Sequence, residues 1–148
     1  MLVYTAAFEN VALTDAAQDI LFLQTTANVP IRIHEWLLTS DVTTDVRARL
    51  QILLRTTAGS GGTAITPRAV NERNTRAAVT TVTQMRTTVG TPGNMLDGDR
   101  WSLLVPFQRL YTPETRLQIA HSSFIALYLP AGTGASRNLS GKVVFEEL

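Results

Sequence analysis

The sequence predicts an all-β fold in a single domain, residues 1–148, built from about eight or nine short antiparallel strands arranged as a sandwich or barrel. Three observations carry that expectation. Apolar residues recur with period two along most of the chain. Clusters of Gly, Pro, Asn and Asp cut the alternation into short pieces. Threonine is in excess, grouped at 25–26, 43–44, 56–57, 80–83 and 87–88. Alternation marks half-buried strands, the clusters mark turns, and β-branched threonine suits a pleated surface better than a helix. At 148 residues, 45% of them hydrophobic, the chain has the size of one domain with a core of its own.

Taken in order, Leu2–Phe8 and Gln18–Thr25 read as strands, and "VALTDAAQD" between them offers one short helical turn with Thr14 as N-cap. In "VPIRIHEWLLT" strict alternation places Ile31, Ile33 and Glu35 on one face and Arg32, His34 and Trp36 on the other. In "VRARLQILLRT" Val46, Ala48, Leu50, Ile52 and Leu54 alternate against Arg47, Arg49, Gln51, Leu53 and Arg55. Helix formers are abundant there, but ten alternating residues favour a strand. Ala78–Arg86, Trp101–Pro106, Arg116–Ala120, Phe124–Leu129 and Gly141–Glu147 complete the set. The turns are "DVTTD" (41–45), the glycine-rich stretch from Arg55 to Val70, "GTPGNMLDGD" (90–99), "LYTPE" (110–114) and "PAGTGASRN" (130–138).

Composition narrows the function classes. A formal net charge of +1 gives no bulk attraction to nucleic acid or to an anionic membrane. With no cysteine there is no disulfide and no thiolate metal site. The apolar runs fall short of the roughly 20 residues of a membrane helix, and Glu9 interrupts an N-terminus that lacks a basic region, so a soluble protein without a signal peptide is expected. Lys142 is the only lysine among the basic residues. Arginine suits bidentate pairing at interfaces, although genomic base composition produces the same bias.

The glycine-rich "GSGGTAITP" looks at first like a phosphate cradle. It has no lysine, Pro67 follows closely, and no helix opens after it, so it reads as a loop in which glycine supplies positive φ. His34 and His121 have no metal-ligand spacing, and Asp41 and Asp45 bracket a turn that lacks the features of a calcium loop. His121, Ser122 and Ser123 are contiguous, but triads assemble in space, and "AGSGG" misses the nucleophile-elbow pattern. Glu146 and Glu147 resemble a carboxylate pair and read instead as solubilising an edge strand. Arg47, Arg49, Arg55 and Trp36 form a basic and aromatic face, yet balancing acids are scattered throughout. No catalytic residue, metal ligand or cofactor site is therefore expected.

In sequence order, "AAQDILFLQ", "PIRIHEWLLTSDVTTDVRARLQILLR", "GSGGTAITPRAV", "YTPETRLQI", "FIALYLPAG" and "LSGKVVFEEL" make the chain resemble a family of tailed-phage capsid decoration proteins, small head-stabilising or cement proteins of the virion. The resemblance covers most of the chain except residues 84–100. It implies a β-sandwich of jelly-roll type, often trimeric, made in the host bacterial cytoplasm and bound to the outer surface of the head. The partners it implies are the major capsid protein and further copies of the chain, with no nucleic acid, no membrane and no catalysis. Interface cores favour aromatics and arginine, so Trp36, Trp101, Phe107 and Tyr111 are the candidate anchors, with Arg47 and Arg49 as charge-assisted partners. For each aromatic the competing reading is the core of the monomer. The N-terminal "LVYTAAF" is a further candidate, pairing with a neighbour's sheet edge. The alternative is a carbohydrate- or receptor-binding head of a phage fibre, since jelly rolls serve both roles; an enzyme with a site assembled from distant loops is the third class.

Overall fold

The computed structural model describes residues 2–148, among which there are twelve β-strands and no helix. They are β1 (Leu2–Leu13), β2 (Gln18–Gln24), β3 (Ile31–Ser40), β4 (Arg47–Arg55), β5 (Thr63–Ile65), β6 (Arg68–Ala69), β7 (Thr81–Arg86), β8 (Pro92–Ser102), β9 (Phe107–Leu110), β10 (Leu117–Ile119), β11 (Phe124–Leu129) and β12 (Arg137–Glu147). One sheet runs β10-β3-β12-β1-β6, with β9 beside β10 along β3; the other runs β5-β7-β2-β11-β4-β8. All pairings are antiparallel. Early strands pair with late ones in nested fashion, β1 with β12 and β2 with β11, so the chain shuttles between two facing sheets. That nesting is the jelly-roll arrangement, with β5, β6 and β7 added between β4 and β8.

The core is the space between the sheets. Tyr4, Ala6 and Leu13 of β1, Ile31, Ile33, Trp36 and Leu38 of β3, and Leu139, Val143 and Phe145 of β12 are fully buried from one side. Ile20, Leu21 and Leu23 of β2 and Ile125, Leu127 and Leu129 of β11 meet them from the other. Each such side chain contributes about 1.5–3 kcal/mol relative to exposure.

Several sequence expectations change here. Trp36 faces the core with Ile31 and Ile33 and not the opposite face, because the register against β12 shifts between Val144 and Phe145. The extra residue on β3 flips the alternation downstream of His34. Within the stretch 90–99, residues 92–99 are not a turn but most of β8, an edge strand exposed along nearly all its length. Trp101–Pro106 is strand only to Ser102 and then bends, with Val105 N donating to Ser102 O at 3.1 Å. Thr14 caps no helix: β1 continues to Leu13, and the Thr14 carbonyl accepts from Ala16 N and from Gln18 Nε2 in a tight link between the sheets. "LVYTAAF" lies inside its sheet, between β12 and the short β6.

Glu146 and Glu147 do not line an edge. They end β12, an interior strand, at 3% and 5% exposure. Glu146 Oε2 lies 3.1 Å from His34 Nε2 and 3.6 Å from Arg32. Glu147 Oε1 accepts from the backbone N–H groups of Val79 and Thr80, both at 2.8 Å, and so anchors the segment entering β7. The glycine-rich loop is tied down: Gly59, Gly61 and Gly62 have φ of 70°, 84° and 79°, and a Cβ on Gly59 would run into Thr88 O. Ser60 and Thr88 exchange backbone hydrogen bonds of 2.8 and 3.2 Å.

Candidate interaction surface

Strands β8 and β9 occupy the same margin of the sandwich, one on each sheet, and residues 103–106 link them. The Arg109 guanidinium on β9 reaches across to Asp97 at 2.9 Å and Asp99 at 2.6 Å on β8. It also lies 4.9 Å from the centre of the Phe107 ring. The hydrogen bond from Arg109 holds the Asp99 carboxyl below its ordinary range, and the same bond pulls the Arg109 pKa up. Beneath this clamp Trp101 and Phe107 meet edge to face at 6.4 Å, and Trp101 Nε1 donates to Val105 O at 2.7 Å. The corner is thus fixed by packing below and a charged fork above.

On that base sit five exposed large apolar side chains: Met95 (59%), Leu96 (40%), Leu104 (48%), Val105 (54%) and Leu110 (70%). Two lie in β8, two in the link to β9 and one at the end of β9, on either side of the Arg109 clamp and beside the unpaired backbone of an edge strand.

The residues singled out from the sequence divide differently. Trp36, Trp101 and Phe107 are 0%, 3% and 5% exposed, so they are core residues of this chain and not surface anchors. Tyr111 is half-buried and packs against the core. Burial pushes its phenol up to about 12, with the Asp97 charge adding to the shift. Trp36 Nε1 stands beside its hydroxyl and opposes that rise, although the two form no well-aligned hydrogen bond. Arg47 and Arg49 are exposed on β4: Arg47 pairs with Asp45 at 3.2 Å, and Arg49 stands directly opposite Arg100 of β8. The Asp45 carboxyl is held below its usual range, mainly by the Ser102 hydroxyl at 2.8 Å. Among the described residues no three His, Asp or Glu side chains come together as a metal site. His34 turns to Glu146 and not to Glu35, while Ser123 Oγ donates to the His121 carbonyl in a tight turn.

Sequence reasoning missed a second buried layer, on the outer face of the β2 sheet. Phe22, Leu53 and Ala126 are buried yet stand outside the main core. Arg55, which closes an apparently solvated face of β4, has a side chain 1% exposed, and its guanidinium forms a two-pronged pair with the fully buried Asp19 at 2.9 and 2.6 Å. It also donates to Gly90 O at 2.8 Å and lies 4.4 Å from the Tyr128 ring centre. Burial pushes the Asp19 carboxyl above its ordinary range against the opposing pull of Arg55. Arg86 covers the Phe22 ring at 4.3 Å and donates to Ala58 O of the glycine-rich loop. The signal available in the sequence was "QDILFLQ", too uniformly apolar for a strand with one wet face.

No protein-family model and no curated protein sequence matches the chain. Two solved structures from infectious bursal disease virus, of its Gx strain and of its VP2 subviral particle, align with 99% of the chain at 17% and 16% identity. Their TM-scores are 0.19 and 0.17, and the chain spans 40% and 41% of those viral chains. Superpositions of that quality carry no argument about fold or role.

Proposed function

We propose that this chain is a structural virion protein that decorates the outer surface of a phage head and stabilises it, docking through the β8–β9 corner. The observation that supports this reading is the exposed apolar margin of Met95, Leu96, Leu104, Val105 and Leu110 on a rigid base. Such a surface is costly in water and gains by being covered. The resemblance of the sequence segments to phage decoration proteins is what points to the major capsid protein as the partner and to a homotrimer as the working assembly. The role needs no catalysis and no cofactor.

Light scattering of the purified protein and co-sedimentation with expanded phage capsids test the proposal together. The expected result is a trimer that pellets with capsids. Val105→Asp and Leu110→Asp, at exposed positions, abolish pelleting without unfolding the domain. A strict monomer that leaves capsids bare overturns it.

A further inference from the structure

The register places Thr81, Gln24, Phe124, Arg55 and Pro92 in one row across five strands, on the outer face of the β2 sheet. Phe124, half-buried at the centre, stacks on Phe22 with centroids 5.7 Å apart and planes 23° from parallel. Arg86 in turn lies over the Phe22 ring at 4.3 Å, so the Phe124 ring rests on a packed neighbour.

A cleft opens on each side of this ring. One, of about 420 Å³, is lined by Gln24, Thr26, Ala27, Thr81 and Ser122; the other, of about 270 Å³, by Leu54, Thr56, Gly93, Asn94 and Ser123. Phe124 is a wall of both, so they form one trough interrupted by an aromatic ridge. The walls are preorganised. Thr25 Oγ1 donates to Ala120 O at 2.8 Å and accepts from Ser123 N at 2.8 Å, while Ser122 N donates to Thr26 O at 3.0 Å. On the far side a Cβ at Gly93 would stand 2.8 Å from Leu54 O, so the close approach of β8 to β4 requires glycine there.

The chemistry of the lining is specific. Its one charged side chain is Arg55, whose guanidinium is already committed to Asp19 and Gly90. What remains free is a set of hydroxyls and carboxamides around an aromatic face. An ionic ligand would lose its hydration here with no counter-charge to replace it. An apolar peptide would cover the ring, Ala27 and Leu54 but leave the free polar groups of Gln24, Thr26, Thr81 and Asn94 without partners. A pyranose matches both elements, with C–H groups for the ring and hydroxyls for Gln24, Thr26, Thr81 and Asn94. We propose that the Phe124 trough is a binding site for a neutral oligosaccharide, with Phe124 as the stacking platform. The site is separate from the β8–β9 apolar corner and does not depend on the capsid-docking reading.

Saturation-transfer NMR and calorimetry on the intact chain test it, with maltopentaose, cellopentaose, chitopentaose and mannopentaose as neutral probes. Sialyllactose and a hydrophobic peptide serve as charged and apolar comparators. The expected result is binding of at least one neutral series, with saturation at the Phe124 ring. Phe124→Ala weakens that binding ~10-fold, the value of one lost aromatic contact. Gln24→Ala and Asn94→Ala, at exposed positions that leave the thermal midpoint unchanged, also weaken it, so a folding defect in the Phe124 variant does not blunt the test. Capsid-docking variants at Val105 and Leu110 leave it intact. The proposal is overturned if no neutral probe binds at millimolar concentration, if only a comparator binds, or if binding survives both Gln24→Ala and Asn94→Ala.

Discussion

Replacing Arg55 by methionine strands a carboxylate. Asp19 has no exposed surface, and both of its hydrogen-bond donors to the side chain come from Arg55, at 2.9 and 2.6 Å. Each charge-assisted bond contributes about 1.5–3 kcal/mol, and removing one partner of a buried pair costs about 3–5 kcal/mol through the charge left behind. For a chain of this length each kcal/mol moves the midpoint by about 2–4 °C, so Arg55→Met is expected to lower it by about 10 °C or more at neutral pH. The double variant Asp19→Leu/Arg55→Met removes both charges and returns to within about 1–2 kcal/mol of the parent, since burying this pair was itself costly. The pH dependence follows from the protons. Burial already holds the Asp19 pKa above its unfolded value, and loss of Arg55, which opposes that shift, raises it further. The native variant therefore binds a proton that its unfolded state does not, between the two pKa values. Its deficit is greatest at neutral pH and shrinks on acidification by up to about 1.4 kcal/mol per pH unit. Urea unfolding followed by circular dichroism from pH 7 down to pH 4 measures this directly. A deficit below about 1 kcal/mol, or one that is flat with pH, refutes the reasoning.

Other positions give simpler expectations. Glu147→Ala leaves the Val79 and Thr80 amides without their acceptor and is expected to cost about 2–4 kcal/mol in urea unfolding, with Glu147→Gln, which keeps one oxygen, costing clearly less. Gly141→Ala pushes a methyl to 2.6 Å from Leu37 O and 2.7 Å from Leu38 Cδ2, so a loss of about 1–3 kcal/mol is expected in the same assay. Tyr111→Phe removes a buried hydroxyl that stands beside Trp36 Nε1 without a well-aligned bond, so stability should change by no more than about 1 kcal/mol. In the parent protein, alkaline ultraviolet titration should show one phenol ionising near 12 that disappears in this variant. Arg109→Met severs the pairs to Asp97 and Asp99; at this exposure the loss is about 0.5–1 kcal/mol and fades as salt is added.

The all-β class and the two-sheet sandwich were legible because alternation and turn residues are local signals. Leu50 and Ile52 point inward as the pattern of β4 requires. What failed was non-local. Trp36 changes face because β3 carries one residue more than β12 at the Ile33–Glu35 register, and one strand's pattern cannot reveal a bulge set by its partner. Arg55 reads as a solvated residue until Asp19, Tyr128 and Gly90 are brought to it from three other segments. Glu147 reads as terminal and wet, yet its acceptors' targets are amides 68 and 67 residues away. The aromatic anchors chosen for an interface went into the core for the ordinary reason that large apolar groups gain more there. Leu104 and Val105 stay outside because the turn after Ser102 sends only Leu103 inward, and Leu110 because the alternation of β9 gives the inner position to Phe107.

Strand β8 links the two proposed surfaces. Its first residues, Gly93 and Asn94, wall the Phe124 trough; its middle, Met95 to Asp99, forms the apolar and clamped margin; its last, Trp101, anchors that margin in the core. Glycine and asparagine disguise it as a turn in the sequence, and it falls largely within the stretch that has no counterpart in the phage resemblance. Both properties fit an edge strand. Only one neighbour constrains it, so residues poor at forming strands are tolerated. The sandwich holds β4 between two neighbours and β8 by one, so replacing residues 92–99 is expected to alter both proposed surfaces while the core, carried by the other strands, stays as it is.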